Sequence, residues 1–207
     1  MTELKLLWVI VSLFVLGACS LGGPSKPSRF YVLSAMPGTT LAAVTTDERS
    51  IGVGPVFVPD ILDRPQIVTR TDSNRIDLAE FDRWGGDLNK NLLRVLSQNL
   101  MQRLGTDNVA IYPWQRRDNP GLQVSIRFFH FGGVLGQKVT LTGVWQILDG
   151  QQGCQLVARR FDIAEAPADS GYVGFVDALS RGVADLSQVI AEQLAATSVG
   201  CSISLNR

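Results

Sequence analysis

Few residues of this chain could carry chemistry, and their spacing excludes most reaction classes. A single histidine, His130, occurs in 207 residues, so the paired histidines of an H-E-x-x-H zinc site are excluded. No Cys-x-x-Cys pair marks a redox site, and no Gly-x-Ser-x-Gly turn exposes a serine nucleophile. Gly52-Val53-Gly54 comes nearest to a phosphate-binding loop, but Pro55 follows it and lacks the N–H that such a loop needs. Asp77, Glu80 and Asp82 form an acidic cluster. Paired carboxyls can do hydrolytic acid–base work when one is kept protonated and the other ionises. Asp77 and Glu80 are an odd number of positions apart, however, so in one strand they face opposite ways, and the cluster reads as a solvated strand end. His130 falls in phase with Leu122, Val124, Ile126 and Phe128 and reads as a packed structural residue. The sequence therefore predicts no catalytic residue, no cofactor and no metal.

One thiol is placed by its neighbours. An apolar run from Leu6 to Leu16 follows Lys5 and has the length of a signal-peptide hydrophobic region. Gly22, Gly23 and Pro24 interrupt it before it reaches the roughly 20 residues of a membrane span. The run ends in Leu16-Gly17-Ala18-Cys19, which resembles the bacterial lipobox. That resemblance makes residues 1–18 a cleaved signal and Cys19 the lipidated first residue of the mature chain. Each buried methylene contributes about 0.8 kcal/mol and two acyl chains already anchor a protein stably, so three hold it permanently. The residue after the cysteine is Ser20 rather than Asp, which under the lipoprotein sorting rule implies the outer membrane, with the domain on its periplasmic face. Residues 19–28 continue as a Gly-, Ser- and Pro-rich tether that reaches at most about 30 Å.

Composition narrows the class further. Basic and acidic residues number 19 each, so the formal net charge is zero and the basic footprint of a nucleic-acid binder is missing. Apolar residues make up 45% of the chain, enough for a real core. Cys154 and Cys201 remain once Cys19 is acylated. Export places them in an oxidising compartment, where a disulfide and two free thiols are both compatible with the sequence.

The elements follow from periodicity. Strands are predicted at 29–33, 51–58, 66–71 and 75–80, with Asp72-Ser73-Asn74 as the turn between the last two. Leu88, Leu92, Val95, Leu96, Leu100 and Leu104 recur at helical spacing, Asp87 can cap the start and Gly105 the end. A strand at 109–112 follows. Three longer strands at 123–131, 138–148 and 155–163 form a meander, and a second amphipathic helix covers 172–196. Strands, helix, strands, helix predicts an α+β domain over 29–207, mainly antiparallel sheet with two amphipathic helices packed on one face.

The least ordinary stretch runs from Ile51 to Arg70, with Gly52, Gly54, Pro55, Pro59 and Pro65 punctuating it. Pro55 inside a strand implies an edge or a bulge. Pro59 to Pro65 makes a stiff corner carrying Asp60, Ile61, Leu62, Asp63 and Arg64. Apolar residues rimmed by charge suit a protein contact, and a tight corner whose leucine packs inward is the other reading. This stretch resembles the signature of the PqiC/YmbA family of auxiliary transport lipoproteins. Arg29-Phe30-Tyr31-Val32-Leu33 resembles the family's opening strand, and Trp84, Leu88 and Asn99-Leu100 resemble its central helix. The final helix is where the family has one. Cys154 and Cys201 are not part of the pattern.

The resemblance implies a non-catalytic subunit of an intermembrane lipid-transport system. Its partners would be a periplasmic tunnel protein built of mammalian-cell-entry domains and that system's inner-membrane component. It would meet the tunnel at the outer membrane and support envelope integrity, and a homo-oligomeric ring is compatible with such a partner. An envelope-scaffold or outer-membrane assembly lipoprotein without a transport partner is the alternative, and a hydrolase using the acidic cluster is a third class.

Overall fold

The computed structural model describes residues 26–41, 50–115, 118–197 and 201. Cys19 and the signal segment lie outside the described residues. The chain order is β1 (Arg29–Tyr31), β2 (Ile51–Phe57), a 3-10 turn (Asp60–Leu62), β3 (Gln66–Arg70), β4 (Ile76–Trp84), α1 (Leu88–Leu104), β5 (Val109–Ile111), β6 (Leu122–Gly133), β7 (Val139–Asp149), β8 (Gln155–Glu165) and α2 (Tyr172–Ala196). The class is α+β, as predicted.

The strands form a five-stranded sheet, order β5-β2-β6-β7-β8, and a three-stranded sheet, order β1-β4-β3. The longest ladders, β6–β7 and β7–β8, are antiparallel, as is β3–β4. Three pairings are parallel: β2 with β5, β2 with β6, and β1 with β4. β2 thus sits inside the larger sheet, and its run of Ile51, Gly52, Val53 and Gly54 is buried throughout, as a strand covered on both faces requires. Pro55 is tolerated there because the register of β2 shifts between Val53 and Val56 and β5 pairs only with Ile51 to Val53.

Strict alternation makes the inner face of this sheet. Val139, Leu141, Gly143, Trp145 and Ile147 of β7 are buried and the residues between them are half-buried. Helix α1 packs on β2 and β5, helix α2 on β7 and β8, and the two helices on each other. The whole leucine stripe of α1 is buried, so a Leu→Ala change within it costs about 2–5 kcal/mol. The Asp87 side chain accepts from the Lys90 N–H, and Gly105 closes the helix at φ 62°. Asn99, fully buried, joins the layers: its carbonyl accepts from the Met36 N–H at 3.0 Å and its amide donates to Ser187 Oγ at 3.2 Å.

Cys154, just before β8, is disulfide-bonded to Cys201, beyond α2, with Cα atoms 6.2 Å apart and a sequence separation of 47. The chain-entropy account gives such a loop about 4 kcal/mol of stabilisation. A Cys154→Ser, Cys201→Ser double variant should therefore unfold in urea with about that much less stability. Reductant should shift wild type toward the same midpoint and leave the variant unmoved.

Candidate functional site

The corner from Pro59 to Pro65 is held by its own backbone. The Leu62 N–H donates to Pro59 O at 2.8 Å, Asp63 N–H to Asp60 O at 3.1 Å and Arg64 N–H to Leu62 O at 2.8 Å. The Trp84 N–H donates to Pro65 O at 2.7 Å and ties the corner's exit to β4. On the entry side, Asn89 of α1 accepts from the Val58 N–H at 3.2 Å. Two prolines and these five bonds leave the corner little freedom to lose on binding.

The structure separates the residues that the sequence grouped. Asp60, Ile61 and Asp63 are exposed, and Ile61 keeps 42% of its surface. Leu62 retains only 9% and joins the core cluster. It is a packing residue, because a one-turn 3-10 helix that turns Ile61 outward turns its neighbour in. Arg64 is half-buried and its Nε lies buried without a hydrogen-bond partner.

Ile61 does not stand alone. It borders a groove of about 190 Å³ whose walls include Ile76, Phe129 and His130. Ile76 and Phe129 are 39% and 57% exposed, so an apolar rim runs from the corner across both sheets. Phe57 at the end of β2 is also exposed, with the Arg127 guanidinium 4.7 Å from its ring centre. Sequence reasoning missed Ile76, Phe129 and His130 as neighbours of the corner. The available signal was the adjacent aromatic pair Phe128-Phe129, since a strand cannot bury both.

His130 departs from the expectation that it shares the buried face of β6. The β6–β7 register shifts between Phe128 and His130, and this bulge exchanges the faces. Phe131 becomes buried and His130 half-buried. Its Nε2 lies 3.2 Å from Gly132 O. Burial and the nearby Arg70 charge hold its pKa below the usual histidine range, against the opposing bond to Gly132.

The acidic cluster separates as well. Asp77 and Glu80 are exposed, whereas Asp82 is buried, in contrast to the solvated strand end expected for all three. Arg29 Nε and Nη2 each donate to the Asp82 carboxylate at 2.8 Å, and Tyr31 Oη donates at 2.7 Å. These bonds clamp β1 to β4. Burial alone would raise the Asp82 pKa, but the Arg29 and Tyr31 hydrogen bonds and the Arg29 charge outweigh it, leaving the pKa below its ordinary 3.8. A depressed folded-state pKa gives stability that is present above pH 3.8 and lost as pH falls from there through the folded value. Urea midpoints measured through this acid range should therefore fall more steeply for wild type than for Asp82→Asn.

Among the described residues, no group of three or more His, Cys, Asp and Glu side chains is placed to hold a metal ion. No described helix is long and apolar enough to cross a membrane. Residues 31–191 match the model of a protein family described as ABC-type transport auxiliary lipoprotein component. The chain belongs to that family. The match takes in the corner, the groove and most of α2.

Within the curated members, the chain is 26% identical over 190 residues to the intermembrane transport lipoprotein PqiC of Escherichia coli (strain K12), covering 92% of this chain and 97% of the relative. The Shigella flexneri protein of the same name matches to the same extent. The fold recurs in the crystal structure of an uncharacterized protein, 24% identical with a TM-score of 0.67, covering 82% of this chain and 99% of the other. A Xanthomonas campestris protein shares it at 14% identity and a TM-score of 0.66, over 80% and 95% of the two chains. The family accounts for a membrane-anchored lipoprotein with an auxiliary part in transport.

Proposed function

We propose that this protein is a non-catalytic lipoprotein of the outer membrane that docks a periplasmic tunnel of mammalian-cell-entry domains there, as one subunit of an intermembrane lipid-transport system. The observation that carries the transport role is the match along 97% of a relative named as an intermembrane transport lipoprotein. The docking part is supported by the stiff corner that presents Ile61 beside Ile76 and Phe129 with charged Asp60 and Asp63 at its rim. Exposed apolar side chains on a rigid frame suit a protein contact that excludes water at its centre. A ring of identical subunits would repeat this corner around a symmetric tunnel. Support of envelope integrity would follow from the transport role.

The test separates the surface residue from the buried one. Ile61→Asp should cut copurification of the mammalian-cell-entry partner about tenfold or more, the effect of truncating a contact worth over 1.4 kcal/mol, while the melting temperature stays near wild type. Leu62→Asp should destabilise the fold itself by about 3 kcal/mol or more, because it puts an unpaired charge in the core. Undiminished recovery of the partner by folded Ile61→Asp would place the contact elsewhere.

A further inference from the structure

Edge strand β1 leaves an apolar face uncovered where the chain enters the fold. Its side chains alternate: Arg29 and Tyr31 turn to Asp82, and Phe30 and Val32 point the other way with 67% and 54% of their surface exposed. Leu33 returns to the core at 0%. Val32 also borders a groove of about 510 Å³ with Trp84 and Leu88 in its walls and Lys90 and Arg94 beside them. Arg94 is engaged internally, donating to Leu33 O and to the Gln98 side chain, each at 2.8 Å. Lys90 and Lys26 are exposed.

Chain length says what lies opposite this face. Phe30 follows Cys19 by 11 positions, a stretch that spans at most about 40 Å when fully extended. That is about one diameter of a domain this size, whose radius of gyration is about 16 Å. An anchor at Cys19 therefore keeps β1 within about 40 Å of the membrane surface. Two apolar side chains are a weak membrane ligand alone, but a short covalent tether makes the contact intramolecular and raises its effective concentration.

We propose that Phe30 and Val32, with Lys90 beside Val32, form a second membrane contact that seats in the phospholipid headgroup layer of the anchoring leaflet. The Phe30 ring and the Val32 side chain enter the headgroup–acyl boundary and the Lys90 ammonium meets lipid phosphate. The contact orients the domain and sets which face it turns away from the bilayer. The proposal rests on the reading of Cys19 as the lipid anchor.

The test uses full-length acylated protein in vesicles of phosphatidylethanolamine with a minor share of phosphatidylglycerol. An environment-sensitive fluorophore is attached at Phe30→Cys and, in a second protein, at Val189→Cys. Val189 is 49% exposed on α2. It lies about 25 Å along that helix from Tyr172, whose ring meets Tyr31. Nitroxide-bearing lipids should quench the label at 30 about threefold more than the label at 189, as an interfacial position requires. Equal, water-like quenching at both sites in protein that mass spectrometry shows to be acylated would overturn this proposal and leave the anchor reading standing. Protein found without acyl chains would overturn both.

Discussion

Gly143→Ala should leave little folded protein, although it adds one methyl group. Gly143 sits in the middle of β7, opposite Phe128 on β6 and Phe161 on β8. A Cβ at this position would fall on the Arg127 carbonyl oxygen and on two carbons of the Phe161 ring, at 2.8 and 2.9 Å. A flexible side chain could move aside, but a carbonyl inside a ladder cannot move without breaking the pairing around it. The ring is itself held edge-on by Phe128, with centroids 5.4 Å apart. Overpacking against backbone costs about 3 kcal/mol or more, a large part of a domain's net stability. Gly86→Ala is the control, because its added Cβ meets nothing within 4 Å; it should stay within about 0.5 kcal/mol of wild type. Urea unfolding of the two variants checks both values, and a Gly143→Ala protein as stable as Gly86→Ala would show that the sheet does not close on this residue as described.

Cys19→Ala should abolish acylation and detach the protein from the membrane. The thiol is the only group in the Leu16-Gly17-Ala18-Cys19 motif that can take a diacylglycerol. Replacing it removes every acyl chain at once, and with them nearly all of the membrane affinity, since each methylene contributes about 0.8 kcal/mol. Cells fed labelled palmitate should label wild type and not the variant. A variant that still carries label and sediments with the outer membrane would refute the lipoprotein reading.

Local signals made most of this fold legible. The leucine stripe, Asp87 and Gly105 placed α1 because capping and periodicity act within a few residues of each other. The three long strands and the hairpin after Asp72 were readable for the same reason. What the sequence does not display is pairing between distant segments. Parallel partners such as β1 with β4 or β2 with β6 share no turn, so nothing local marks them. The bulge at Phe129 exchanged the faces of β6 and moved His130 off the apolar face, since one extra residue reverses a period of two.

The site was legible in part. Proline spacing identified a stiff corner; its leucine, Leu62, packs inward, and Ile61 is exposed. The strands that complete the groove, through Ile76 and Phe129, arrive from other parts of the chain. Asp82 was misplaced because its partners, Arg29 and Tyr31, lie more than 50 residues away. A cluster of carboxylates in sequence gives no sign of which one will be clamped by a distant guanidinium.

In-cell photo-crosslinking tests the proposed contact between the corner and a mammalian-cell-entry protein. A photoreactive amino acid replaces Ile61 in one strain and Val189, also exposed, in another. Illumination should join the protein to a mammalian-cell-entry partner from position 61 and not from position 189. A crosslink of that class from position 189 alone, or from neither position while both proteins are present in the envelope, would contradict docking through this corner.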